Sequence, residues 1–148
     1  MATKKNRSTD DYDPQKFRPF GRVTFTVDDD ILLCEAQGPF TRELIAAIAD
    51  IQLSLIQEMQ QFEKWGRIVI IKDSAMASPE SLEALTEYLS TLGRANLLSV
   101  ITTMVIDDTV EGAQLMTSQF MNAFADAALN LTVFKTVNDA KVFVKLHL

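Results

Sequence analysis

The sequence predicts an α/β domain: a mixed five-stranded sheet that opens with an N-terminal antiparallel hairpin and continues through β-α-β-α-β-α crossovers. Three observations carry this. Two β-type runs, at 22–27 and 31–36, lie too close together for a crossover helix and so must fold back on each other. Three later apolar runs, at 68–71, 97–106 and 131–134, are short and mostly continuous, the mark of strands covered on both faces. A stretch of helical periodicity precedes each of those three, and another follows the last, which makes the connections crossovers between parallel neighbours.

Residues 1–20 are polar and mixed in charge, contain Pro14 and Pro19, and read as a mobile N-terminal arm, with Phe17 and Phe20 available to dock on the domain edge. Residues 21–148 read as a single domain, long enough for a substantial core. In Arg22-Val-Thr-Phe-Thr-Val27 the apolar Val23, Phe25 and Val27 alternate, as in a half-buried strand. Asp28-Asp29-Asp30 makes a tight turn into Ile31-Leu-Leu-Cys-Glu-Ala36. Spread over so few residues, these acids are a hairpin turn and not a calcium loop. Gly38-Pro39 breaks the second strand and Thr41 caps a helix running to about Gln61. Its stripe is Leu44, Ile45, Ile48, Ile51, Leu55, Met59 and Phe62.

Trp65-Gly66 ends that helix, and Ile68-Val-Ile-Ile71 forms the third strand. A second helix begins behind Ser78-Pro79-Glu80-Ser81, turns Leu82, Leu85, Leu89 and Leu92 inward, and stops at Gly93. Leu97–Ile106 is the fourth strand and ends at Asp107-Asp108. A third helix from about Val110 to Ala128 buries Ala113, Phe120, Phe124 and methionines. The fifth strand is Leu131–Phe134, and Asn138 caps a last helix that buries Ala140, Phe143 and Val144.

Composition removes several function classes. The chain has 148 residues and a formal charge of −6, with its few basic N-terminal residues followed at once by aspartates, so a nucleic-acid partner is not expected. One cysteine, Cys34, and one histidine, His147, leave no intramolecular disulfide, no Cys–His pair in a plausible register, no cysteine-based metal cluster and no two-histidine metal site. No cofactor is expected. Without a secretory signal or an 18-residue apolar run, the expected location is the cytoplasm.

Gly38-Pro39-Phe40 leads into the first helix, Trp65-Gly66 precedes the third strand, Ile70-Ile71-Lys72-Asp73 ends it, and Phe134-Lys135-Thr136 runs into the closing helix. With the order of elements, these features resemble the STAS domain of sulfate transporters and anti-sigma-factor antagonists. They resemble more closely the bacterial stand-alone anti-sigma-factor-antagonist-like proteins, which are related in fold to CRAL-TRIO lipid carriers. The resemblance spans about residues 21–148. It implies a non-enzymatic regulatory or protein-interaction module, with a protein partner and homodimer formation. In anti-sigma antagonists an Asp-Ser-Ser-Gly turn after the third strand presents a phosphoacceptor serine. Here Asp73 is in place, and the loop continues Ser-Ala-Met-Ala-Ser-Pro-Glu-Ser.

The candidate regulatory or partner loop is therefore Asp73, Ser74, Ser78 and Ser81. Ser78, followed by Pro79 and Glu80, also has every feature of a helix N-cap. Asp73, Asp107, Asp108 and Lys135 fall at the carboxyl edge of the parallel strands and read as solvated turn residues, with no metal expected. A second candidate set comprises Trp65, at a helix–strand junction, with Met116, Phe120, Met121 and Phe124. The third helix carries more apolar positions than one stripe requires, which points to a dimer face or to a lid over an apolar cavity. The alternative function is thus a carrier or sensor of a small apolar ligand or lipid, with transient membrane contact.

Overall fold

The structure is a computed structural model that describes residues 21–148 and the backbone of residues 6–8; the remainder of the arm predicted over 1–20, with Phe17 and Phe20, lies outside the described residues. The hairpin forms as expected from β2 (Arg22–Asp28) and β3 (Ile31–Gln37), antiparallel, with Asp28 opposite Ile31. Asp29 takes the left-handed conformation the turn requires (φ 56°), one of the few side chains that does so readily. From β3 the chain runs through α1 (Arg42–Met59), β4 (Gly66–Lys72), α2 (Pro79–Arg94), β5 (Ile101–Ile106), α3 (Ala113–Asp126), β6 (Thr132–Phe134) and α4 (Val137–Leu146). β3, β4, β5 and β6 are parallel neighbours. This is the mixed sheet that the sequence predicts, with one addition. Asn6–Ser8 (β1) pairs antiparallel with β2 and makes the sheet six-stranded among the described residues, in the order β1-β2-β3-β4-β5-β6.

That order decides where the helices go. Each crossover steps to the next strand in the same direction, so right-handed connections put successive helices on the same face. Accordingly α1, α2 and α3 all pack on one face, where Val23, Phe25, Cys34, Ala36, Ile71, Met104 and Ile106 meet Leu44, Leu55, Leu89, Phe120 and Phe124. Among the described residues the opposite face carries α4 alone. There Ile31, Ile68, Ile70 and Val105 pack against Ala140 and Val144. β4 is buried from both sides, which is why its sequence reads as a continuous apolar run.

Four boundaries differ from the sequence prediction. Gly93 does not stop α2. The helix runs through it, and Asn96 supplies the left-handed residue (φ 57°) while the Leu97 amide bonds back to the Leu92 carbonyl at 2.9 Å. That closure occupies 95–97, so the strand expected from Leu97 starts only at Ile101. α3 begins at Ala113 because Gly112 sits at φ 74°. A Cβ there would lie 2.5 Å from Met76 Sδ. The cap of α4 is Thr136, whose hydroxyl accepts from the Asp139 amide at 3.2 Å; Asn138 lies inside the helix. Thr41 and Ser78 cap α1 and α2 as predicted.

Candidate functional site

The loop after β4 is held down by hydrogen bonds. Asp73 turns the chain at φ 64° and accepts from Gln37 Nε2 at 2.8 Å. The Ser74 hydroxyl donates to Glu111 Oε1 at 2.6 Å and accepts from the Met76 amide at 3.2 Å. The Ala75 amide donates to the Glu111 carbonyl and the Glu111 amide to the Asp73 carbonyl, so this loop and the one before α3 are tied together. On the other side the Phe40 amide donates to the Met76 carbonyl at 2.8 Å. Gly38 makes that approach possible, because a Cβ on it would lie 2.1 Å from the Ser74 carbonyl oxygen.

Ser78 and Ser81 form a closed pair. Ser81, 1% exposed, donates its hydroxyl proton to the Phe40 carbonyl at 2.8 Å. With that proton committed, the 2.6 Å contact between the two hydroxyls runs from Ser78 to Ser81. Ser78 Oγ in turn accepts from the Ser81 amide, the capping bond. Ser74 and Ser81 are buried and Ser78 is half-buried, while Asp73 is exposed. The three serines thus fasten the Gly38–Phe40 segment, the start of α2 and the loop before α3 to one another.

The carboxylates at this edge have local partners. Asp107 accepts from the amide and hydroxyl of Thr109, and these bonds hold its carboxyl below the usual range. Asp108 meets Lys135 at 3.0 Å, both well exposed. Among the described residues, no three histidine, cysteine, aspartate or glutamate side chains gather in a way that could hold a metal ion. His147 stacks on Phe143 at the end of α4 and accompanies none of the serines.

The unusual chemistry lies inside the domain. Between the sheet and α1, α2 and α3 is a cavity of about 90 Å³. Its walls include Phe25, Val69, Ile71, Leu85, Phe120 and Phe124, and half-buried Ile48, Leu85 and Tyr88 put its rim between α1 and α2. Into this apolar space projects Arg67 of β4, only 5% exposed. Its Nε and Nη2 are buried and have no hydrogen-bond partner among the described residues. The contact it does have is the Trp65 ring, whose centroid lies 5.7 Å from Cζ, a cation–π distance. A buried charge without a counter-ion costs several kcal/mol.

Three polar groups share the cavity wall. Cys34 donates weakly to Gln52 Oε1 at 3.7 Å, and Gln52 Nε2 donates to the Tyr88 hydroxyl at 2.5 Å. Burial pushes the Cys34 thiol up to about 12, with Arg67 pulling the other way, and burial likewise raises Tyr88. Near neutral pH both are protonated, so neither supplies a negative charge for Arg67.

The second candidate set is divided by the structure. Phe120 and Phe124 line the cavity. Trp65 and Met116 are buried core residues outside its lining, and Met121 stands on the surface at 42% exposure. Sequence reasoning missed Arg67, Gln52 and Tyr88, yet each had a signal. Arg67 stands two residues before Val69 on a strand covered on both faces, so it shares the face of Val69 and Ile71. Gln52 interrupts the α1 stripe four residues after Ile48, and Tyr88 follows Leu85 by three. A polar residue in register with a buried stripe was the clue.

No family model matches the sequence, and no curated protein matches it. Among solved structures, a chain described as "The overall structure of SLC26A9" is similar over 88% of this chain and 24% of its own length, at 16% identity and a TM-score of 0.49. At that identity and score the likeness bears on neither family nor function.

Proposed function

We propose that this chain is a non-enzymatic STAS-like module that works in the cytoplasm by binding a protein partner. The observation that supports the reading is an open groove of about 410 Å³ between α2 and α3, which begins at Pro79 beside the loop after β4. Leu82 lines it, with Glu83, Glu87 and Asp126 at its sides, and among the described residues no lysine or arginine lines it. Such a groove suits a partner segment that offers an apolar anchor among basic residues. The exposed Leu115 (57%) and Met121 on α3 are the surface we assign to self-association as a homodimer.

The test is affinity capture with the tagged full chain and with a Glu83→Lys, Glu87→Lys double variant, each at low and high salt. A partner held by the first at low salt and lost from the second supports the reading. Equal retention by both would move the contact surface elsewhere.

A second reading is favoured by the cavity: a carrier or sensor that holds a small apolar ligand between the sheet and the helices. Among the described residues no helix is long and apolar enough to cross a membrane.

A further inference from the structure

We infer that the cavity is a binding site for a small monocarboxylate with an apolar tail, anchored by Arg67; this rests on the second reading above and names its ligand class. The guanidinium presents two N–H groups, Nε and Nη2, that have no partner among the described residues, into a space lined mainly by apolar side chains. Those two atoms share one edge of the planar group, the edge that takes both oxygens of a carboxylate in parallel hydrogen bonds. The lining supplies no counter-charge of its own: the neighbouring thiol, amide and phenol are neutral near pH 7, and among the described residues no aspartate or glutamate lines the cavity.

Size and polarity narrow the occupant further. A volume of about 90 Å³ is roughly that of three water molecules, enough for a carboxylate and the first carbons behind it. The remainder of a chain would leave along the apolar rim between Ile48 and Leu85. One guanidinium matches one negative charge, so a dianion such as phosphate would keep an unmatched charge in apolar surroundings. The anchor is also rigidly held: Arg67 extends from the buried strand β4, and its guanidinium lies near the Trp65 ring.

The experiment is calorimetric titration of the full chain with hexanoate, hexan-1-ol, acetate and inorganic phosphate. Hexanoate is expected to bind about ten- to a hundredfold more tightly than hexan-1-ol, the range for hydrogen bonds to a charged group. Acetate and phosphate should both be weaker than hexanoate. In Arg67→Met the preference for hexanoate over hexan-1-ol should vanish while hexan-1-ol still binds. Should that variant not fold, the single tryptophan of the unmodified chain gives the second readout. Hexanoate should shift Trp65 emission by pairing the charge beside its ring, and hexan-1-ol should not.

Equal binding of acid and alcohol would overturn the anchoring role of Arg67 and leave the carrier reading standing. Binding of neither would remove both. Acetate or phosphate binding as tightly as hexanoate would reduce the site to one for a free ion and overturn the assignment of an apolar tail.

Discussion

On one face of the sheet three helices enclose Arg67, Gln52 and Cys34 around a cavity; on the other, α4 presses Ala140 and Val144 onto Ile68, Ile70 and Val105. Both faces belong to the same strands, and along β4 they differ by a single residue step: Arg67 points one way and Ile68 the other. The α4 face is the simpler structure, apolar and close-packed, with Thr103 Oγ1 as its buried unpartnered hydroxyl. The three-helix face is larger but incomplete. An unpartnered hydroxyl is a small flaw that dense packing can absorb, whereas a buried guanidinium whose Nε and Nη2 find no partner among the described residues carries a much larger cost.

The contrast is sharpest under truncation. Ile68→Ala, beneath α4, should lose about 2–5 kcal/mol of unfolding free energy, because a fully buried side chain is cut back and a cavity left behind. The matched change Ile48→Ala, at the half-buried rim of the cavity, should cost about 1–2 kcal/mol. Urea denaturation of the two variants compares them directly, and equal losses would erase the distinction between the faces.

Arg67→Met goes in the opposite direction. Replacing an unpaired buried charge by an apolar side chain of similar length should stabilise the ligand-free chain by about 1–4 kcal/mol. The same urea titration shows it as a raised midpoint. Destabilisation would mean that the guanidinium is structural, held by the Trp65 ring and its packing.

Alkaline pH probes the same face. Below pH 9.0 the Cys34 thiol is protonated in both states and its contribution is fully present. Between pH 9.0 and about 12 the unfolded chain releases a proton that the native state keeps, so stability falls as pH rises. The slope should approach about 1.4 kcal/mol per pH unit from this group, and the raised Tyr88 acts in the same direction. Cys34→Ala should remove the thiol part of that slope, as followed by thermal unfolding at stepped pH.

The smallest effect belongs to the α4 face. Thr103→Val deletes the unpartnered hydroxyl without changing shape and should gain about 1 kcal/mol, or about 2–4 °C in Tm for a chain of this size.

Element order, the hairpin and the helix caps at Thr41 and Ser78 were legible in the sequence because each rests on local chemistry: strand spacing, apolar period and a hydroxyl before a helix. The end of α2 was harder to read, since Gly93 and Asn96 are both able to end a helix and the choice was made by the Leu97–Leu92 closure. Short β1 could not be read from Asn6-Arg7-Ser8, because a three-residue edge strand is defined by the neighbour it pairs with. The three loop serines were visible as residues, but the burial of Ser81 was not, since it depends on Phe40 arriving from the other side of the fold. Arg67 was overlooked for a related reason. Between Gly66 and Ile68 it reads as the solvated start of a strand unless its step with Val69 and Ile71 is followed, and the register then places it between Leu32 and Thr102 on a covered face.

The strictly sequential strand order also has a consequence for synthesis. Among the described residues every strand pairs with the one made just before or just after it, so the sheet can grow by accretion as the chain leaves the ribosome, with a single helical crossover to close between successive parallel strands. The three-helix side is covered as it grows, each helix arriving with its own crossover. The opposite side must wait for α4, the last element, and until then Ile68, Ile70 and Val105 lie bare to the surrounding cell. The nascent chain is therefore most vulnerable to aggregation, and most attractive to a chaperone, in the interval between the completion of β5 and the docking of α4.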